Sequence, residues 1–131
     1  MKVLVIEMED AGCGLDFVLR CVAAGHKVRY FKRKENNVEP GKGFPGIEHI
    51  DNWATSMKWA DLVFQTGNDQ FLPRIGVFQK AGVKFFGPSQ ASADLEIKRE
   101  KGMKFLEDHG IECPSFKTFP TLDAALAYQM K

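Results

Sequence analysis

Four consecutive aliphatic residues, Val3-Leu4-Val5-Ile6, lead into Glu7-Met8-Glu9-Asp10-Ala11-Gly12-Cys13-Gly14, and a helical pattern follows. An unbroken aliphatic run without polar alternation suits a strand covered on both faces. Leu15, Val18, Leu19 and Val22 recur at helical spacing, and Gly25 stands where the residue after a helix end belongs. Strand, glycine-bearing turn and helix in that order open a βαβ unit. They commit the chain to a parallel sheet with helices packed against it.

The pattern repeats downstream. "HKVRYF" (26–31), "ADLVFQ" (60–65) and "VKFFG" (83–87) read as further strands, and "QFLPRIGVFQKAG" as a helix entered through Pro73. Residues 35–46 hold Pro and Gly without periodicity and form a loop. Asp51 or Asn52 caps a short helix through Met57. The expected fold is α/β, a three-layer α/β/α Rossmann-like sandwich on a parallel sheet.

After Gly87 the character changes. Pro88 and Ser89 cap a helix, and a longer helical run extends to about His109, which Gly110 ends. "FKTF" (116–119) is strand-like, and Thr121 caps a last amphipathic helix with Leu122, Ala125 and Leu126 on one face. The expected division is a first domain over 1–95 and the opening segment of a second, incomplete one over 96–131.

The chain has 131 residues, 44% of them hydrophobic, enough for a compact domain with a real core. Lys and Arg total 18 against 17 Asp and Glu, for a net charge of +1, so neither nucleic acid nor an anionic membrane is expected as partner. The basic run Lys32-Arg33-Lys34 meets Glu35 at once and reads as a solvated loop edge. Cys13, Cys21 and Cys113 match no common zinc spacing and read as reduced thiols. Cys13 and Cys21 are expected on the first helix as small core fillers, and Trp53 and Trp59 in the core. With no apolar run of membrane-spanning length and no leader pattern, the expected location is the cytoplasm.

The first turn poses a chemical problem. A helix N-terminus offers unpaired N–H groups and the positive end of a dipole to a phosphate. Here Glu7, Glu9 and Asp10 stand in the way, and no glycine follows at the place of the third in the dinucleotide fingerprint. An Mg²⁺ site of the receiver-domain type would need an aspartate after the third strand, where Gln65-Thr66 stands instead. The turn therefore reads as helix capping and dipole compensation by solvent-facing carboxylates.

The most specific stretch is 84–129. Its landmarks are Gly87-Pro88-Ser89, Leu95-Glu96, His109-Gly110-Ile111, Phe116-Lys117-Thr118-Phe119 and Ala125-Leu126-Ala127-Tyr128. In order and spacing they resemble the corresponding region of phosphoribosylamine–glycine ligases, which are ATP-grasp enzymes. The opening "MKVLVI" fits the same family's first domain. The resemblance implies a pre-ATP-grasp domain followed by the start of an ATP-grasp domain. It also implies a reaction in which ATP phosphorylates a carboxylate and an amine attacks the acyl phosphate.

The resemblance also assigns residues. Arg99, flanked by Lys98, falls where the family contacts nucleotide phosphate. Gly12, Gly14, Gly67, Asp69, Pro88 and Ser89 fall near the substrate, at the carboxyl ends of the strands. Both substrate loops depart from the family's, since Glu7–Gly14 replaces Gly-Ser-Gly-Gly-Arg-Glu-His and Thr66–Leu72 replaces Gly-Pro-Glu-x-Pro-Leu. That points to a cationic or amine-bearing ligand, or to none. ATP and Mg²⁺ are implied for a full enzyme, with none held by this chain alone and no protein metal ligands in it. The partners implied are a carboxylate or amine substrate, the remaining ATP-grasp domain and a homodimer. The alternative to a ligase segment is a non-enzymatic binding or oligomerisation module.

Overall fold

The computed structural model describes residues 1–8, 12–33, 40–68 and 71–129. Two compact units divide the chain, Met1–Ala93 and Asp94–Lys131.

The first unit is built on a five-stranded sheet. Its strands are β1 (Lys2–Glu7), β2 (Lys27–Lys32), β3 (Ile47–His49), β4 (Leu62–Gln65) and β5 (Phe85–Phe86). They lie in the order β3-β2-β1-β4-β5, and every pairing is parallel. The expected parallel α/β sheet is thus borne out, with one strand more than the sequence reading counted. β3 was hidden in a Pro- and Gly-rich context, and three residues at a sheet edge are too short to show a period.

Alternation along β1 explains why its run has no polar member. Leu4 and Ile6 pack with Phe31 of β2, Val63 of β4, Trp53, Met57 and Ile75 on one face. Val3 and Val5 pack with Val28 and Tyr30 of β2, Val18 and Cys21 on the other. The first set is covered by α2 (Leu72–Lys80) and a 3-10 turn at Ala54–Ser56, the second by α1 (Leu15–Ala23). Both faces are closed, and three layers result. Gly25, at φ 77°, ends α1 as expected, and Asn52 Oδ1 accepts from Ala54 N–H at 3.0 Å.

Three packing expectations are corrected. Cys13 precedes α1 and is exposed, because the helix starts at Leu15; Cys21 alone is a core filler. Trp59 is only half-buried, its ring lying 4.3 Å under the Arg29 guanidinium, while Trp53 belongs to the core. Lys32 is the last residue of β2 rather than part of a loop, and Lys34 and Glu35 lie outside the described residues.

The second unit and the helix that leads into it differ from the reading in one way, a missing strand. The two helices are α3 (Gln90–Ile97) and α4 (Arg99–Asp108), with a break at Lys98 at φ −95° and ψ 82°. "FKTF" forms no strand, since it has no partner strand in this unit among the described residues. The caps were legible. Ser92 N–H donates to Ser89 Oγ at 3.1 Å, and Ala124 N–H donates to Thr121 Oγ1 at 3.2 Å ahead of α5 (Leu122–Gln129). Yet α5 buries none of its described residues, and Leu122 is 74% exposed. No helix among the described residues is long and apolar enough to cross a membrane.

Candidate functional site at the sheet's carboxyl edge

In an open parallel sheet the strand order sets the location of a site. From β1 the chain winds outward to β2 and β3, then returns to the other side through β4 and β5. Helices after β1 and β4 therefore cover opposite faces, and the carboxyl ends of these two strands form the switch point at which open α/β sheets bind ligands. Glu7 and Met8 leave β1 there, and Thr66 and Gly67 leave β4.

Glu7 is fully buried, against the expectation of a solvent-facing carboxylate. Strand parity explains it, because Glu7 shares a face with Val3 and Val5, beneath α1. A buried carboxylate is costly unless hydrogen-bonded. Glu7 Oε2 accepts from Gly14 N–H at 2.9 Å and from the Tyr30 hydroxyl. The capping part of the expectation therefore holds: the carboxylate sits at the positive end of α1 and meets one of its orphan donors. Glu9 and Asp10 lie outside the described residues, and Asp16 is an exposed partner of Arg20 at 2.7 Å.

The glycines of the turn have separate reasons. Gly12 takes φ +68°, a left-handed conformation that favours glycine. A Cβ on Gly14 would lie 2.8 Å from Glu7 Oε2 and 3.4 Å from Thr66 Cγ2. Gly67 is buried, and a Cβ there would meet the Met8 side chain at 2.6 Å. Gly14 and Gly67 thus stand close to residues at the ends of β4 and β1 respectively, whereas Gly12 lies against Pro40. Asp69 lies outside the described residues. Ser89 is exposed and committed to capping α3 through Ser92, and Pro88 is half-buried beside it.

Glu7 and Tyr30 are the residues that sequence reading missed as a pair. The signal was there in part, since Tyr30 pairs with Val5 across the ladder and must share Glu7's face. Burial, then the hydrogen bond and charge of Glu7, push the Tyr30 phenol well above its ordinary range. An unfolded tyrosine ionises near about pH 10. The folded state holds its proton longer, so the stabilisation is complete below about pH 10 and declines as the pH rises past it. Burial pushes the Cys21 thiol the same way. Tyr30→Phe should therefore flatten the alkaline loss of stability, and at neutral pH cost about 1–2 kcal/mol by leaving Glu7 with one donor fewer. Urea titrations across pH 7 to about 11 check both effects.

In the second unit, Lys98 and Lys101 both donate to Asp94 Oδ2 at 3.1 Å. Arg99 opens α4, exposed, and borders a cavity of about 270 Å³ with Leu95, Glu96, Gly102, Met103, Phe105 and Leu106. Of the two basic residues assigned to nucleotide phosphate, Lys98 is drawn to a carboxylate. Among the described residues no three His, Cys, Asp or Glu side chains converge as a metal site.

No family model matches the chain. Among known proteins, the phosphoribosylamine–glycine ligase of Yersinia pestis is 33% identical over an alignment covering 64% of this chain and 22% of that protein. The enzyme of the same name from Allochromatium vinosum is 43% identical over 54 residues, 41% of this chain and 13% of that protein. This chain thus spans about a fifth or less of the length of the curated relatives it matches. Among solved structures, N5-carboxyaminoimidazole ribonucleotide synthetase from Thermotoga maritima superposes with a TM-score of 0.68 at 15% identity, covering 97% of this chain and 36% of that one. At that identity the match speaks for the fold alone. The resemblance read from residues 84–129 is thereby borne out: over part of its length this chain is similar in sequence to phosphoribosylamine–glycine ligases, and it shares its fold with a ribonucleotide synthetase.

Proposed function

We propose that this chain contributes the substrate-binding domain and the first part of the nucleotide-binding lobe of an ATP-dependent carboxylate–amine ligase. The observation that carries the reading is the sequence similarity to phosphoribosylamine–glycine ligases, on a five-stranded parallel sheet with a switch point between β1 and β4. On this reading residues 1–95 hold a small substrate at the carboxyl edge of β1 and β4, with Pro88 and Ser89 at its rim. Residues 96–131 open the ATP-grasp domain, and the rest of that domain supplies the magnesium-binding carboxylates. The free thiols support a cytoplasmic setting.

Arg99 is the residue here that fits a nucleotide phosphate, through a planar guanidinium on an exposed helix start. Lys98 fits less well, because Asp94 holds its ammonium. When bound, ATP would activate a carboxylate as its acyl phosphate; this chain's part is to orient and bind. Titration of the ¹⁵N-labelled full chain with ATP–Mg²⁺ should shift the amides around Arg99 saturably at about millimolar ligand, and Arg99→Ala should weaken this about fivefold. Amides around Arg99 that stay still would overturn the nucleotide assignment.

A second reading, a binding or oligomerisation module, is favoured by exposed apolar side chains in the second unit, Ile97, Ile111, Leu122 and Tyr128 among them. Light scattering across a concentration series separates it, since the module reading requires a stable dimer or larger assembly without nucleotide.

A further inference from the structure

Within the reading above, on which this step rests, the chemistry of the first unit's site can be narrowed. We propose that the switch point at the carboxyl ends of β1 and β4 takes a protonated amine, accepted by Glu7 Oε1 and Thr66 Oγ1, and not a phosphate.

The N-terminus of α1 already holds an anionic group. A phosphate in this position would use the N–H groups that open α1. Here Glu7 Oε2 accepts the Gly14 N–H at 2.9 Å, so the chain's own carboxylate stands where such an anion would sit. The Tyr30 hydroxyl, the other buried donor, is committed to the same oxygen. An incoming phosphate would therefore face a carboxylate without a free donor from either group.

The unmet hydrogen-bonding capacity has the opposite sense. Glu7 Oε1, on a fully buried side chain, accepts no hydrogen bond among the described residues, and Thr66 Oγ1 is a buried atom likewise without a partner. Buried polar atoms are rarely left unmet without a reason. Thr66 follows Gln65, the ladder partner of Ile6, so its side chain stands next to that of Glu7 on the same face, and both flank Gly14, whose Cβ would lie 2.8 Å from Glu7 Oε2 and 3.4 Å from Thr66 Cγ2. Next to them Met8 packs against Gly67, where a Cβ would meet its side chain at 2.6 Å. A carboxylate oxygen beside a hydroxyl, without three convergent carboxylate, thiolate or imidazole ligands among the described residues, suits an ammonium's N–H donors better than a divalent metal. Lys32, the ladder partner of Glu7, is the internal cation that could compete.

The test uses the ¹⁵N-labelled full chain at neutral pH, titrated with methylammonium chloride, with potassium chloride at matched ionic strength, and with inorganic phosphate. Methylammonium should shift the Gly14 and Thr66 amides saturably, and the other two salts should not. Glu7→Gln keeps the shape and should weaken the response about tenfold. Thr66→Val, which spares the Gly14 and Tyr30 bonds, should weaken it several-fold and serves if Glu7→Gln does not fold. Three results each overturn the proposal: saturation by phosphate, no response to methylammonium, or an unchanged midpoint in a folded variant. The readout lies at Gly14 and Thr66 and the nucleotide readout at Arg99, so either idea can fail while the other stands.

Discussion

Leu4→Ala is expected to cost about 3 kcal/mol of stability, and to lower the urea midpoint of the first unit without changing the slope. Leu4 is completely buried at the centre of β1, between β2 and β4, and packs into the cluster containing Ile6, Phe31, Val63 and Ile75. Truncation removes the transfer gain of a full side chain and leaves a cavity that strands on both sides prevent from closing. For a domain with about 5–15 kcal/mol in total, that is a large share. Val77→Ala is the control, because Val77 is 66% exposed on α2 and should change stability by about 0.5 kcal/mol or less.

Gly102→Ala should disrupt the second unit on a similar scale, about 2–3 kcal/mol, and shift amide resonances throughout 94–108. A Cβ there would lie 2.1 Å from the carbonyl oxygen of Leu95 and 3.2 Å from its carbonyl carbon. Those are backbone atoms of α3, so no side chain can swing aside. Either α4 moves away from α3, or the break at Lys98 is remade. Gly76→Ala in α2 is the matched control, since a Cβ there meets nothing within 4 Å. Equal effects at the two glycines, measured by amide spectra and thermal unfolding, would contradict this account of the helix pair.

The Gly102 contact also shows where sequence reading ran out. Residues 94–108 contain no proline, and their helix formers continue through Lys98 without interruption. Local propensity therefore does not place the boundary between the two helices. The break follows from Leu95 and Gly102 packing backbone to backbone, a tertiary contact that a single glycine only hints at. Likewise the face of α5 drawn from Leu122, Ala125 and Leu126 is amphipathic in sequence, but helical period alone cannot supply a surface for it to cover.

Glu7 shows the same divide at the site. Its position after Val3-Leu4-Val5-Ile6 placed it at a strand end beside a glycine turn, and the switch-point location followed once the strands were known to be parallel. Whether its carboxylate faced water could not be read from neighbours in sequence. Burial depended on strand parity, on Tyr30 arriving from β2 and on Gly14 returning from the turn, 23 and 7 residues away.

Local order in the chain determined the alternation of strands and helices, the caps at Asn52, Ser89 and Thr121, the turn at Gly25 and the likeness to phosphoribosylamine–glycine ligases. These depend on contacts a few residues apart or on motif order, which a linear string preserves. Tertiary structure alone decided that β3 pairs at the edge, that the break between α3 and α4 falls at Lys98 and that Glu7 lies buried with one oxygen hydrogen-bonded and one without a partner among the described residues. Each of these depends on groups brought together from distant parts of the chain, where solvent exclusion rather than local propensity sets the free energy.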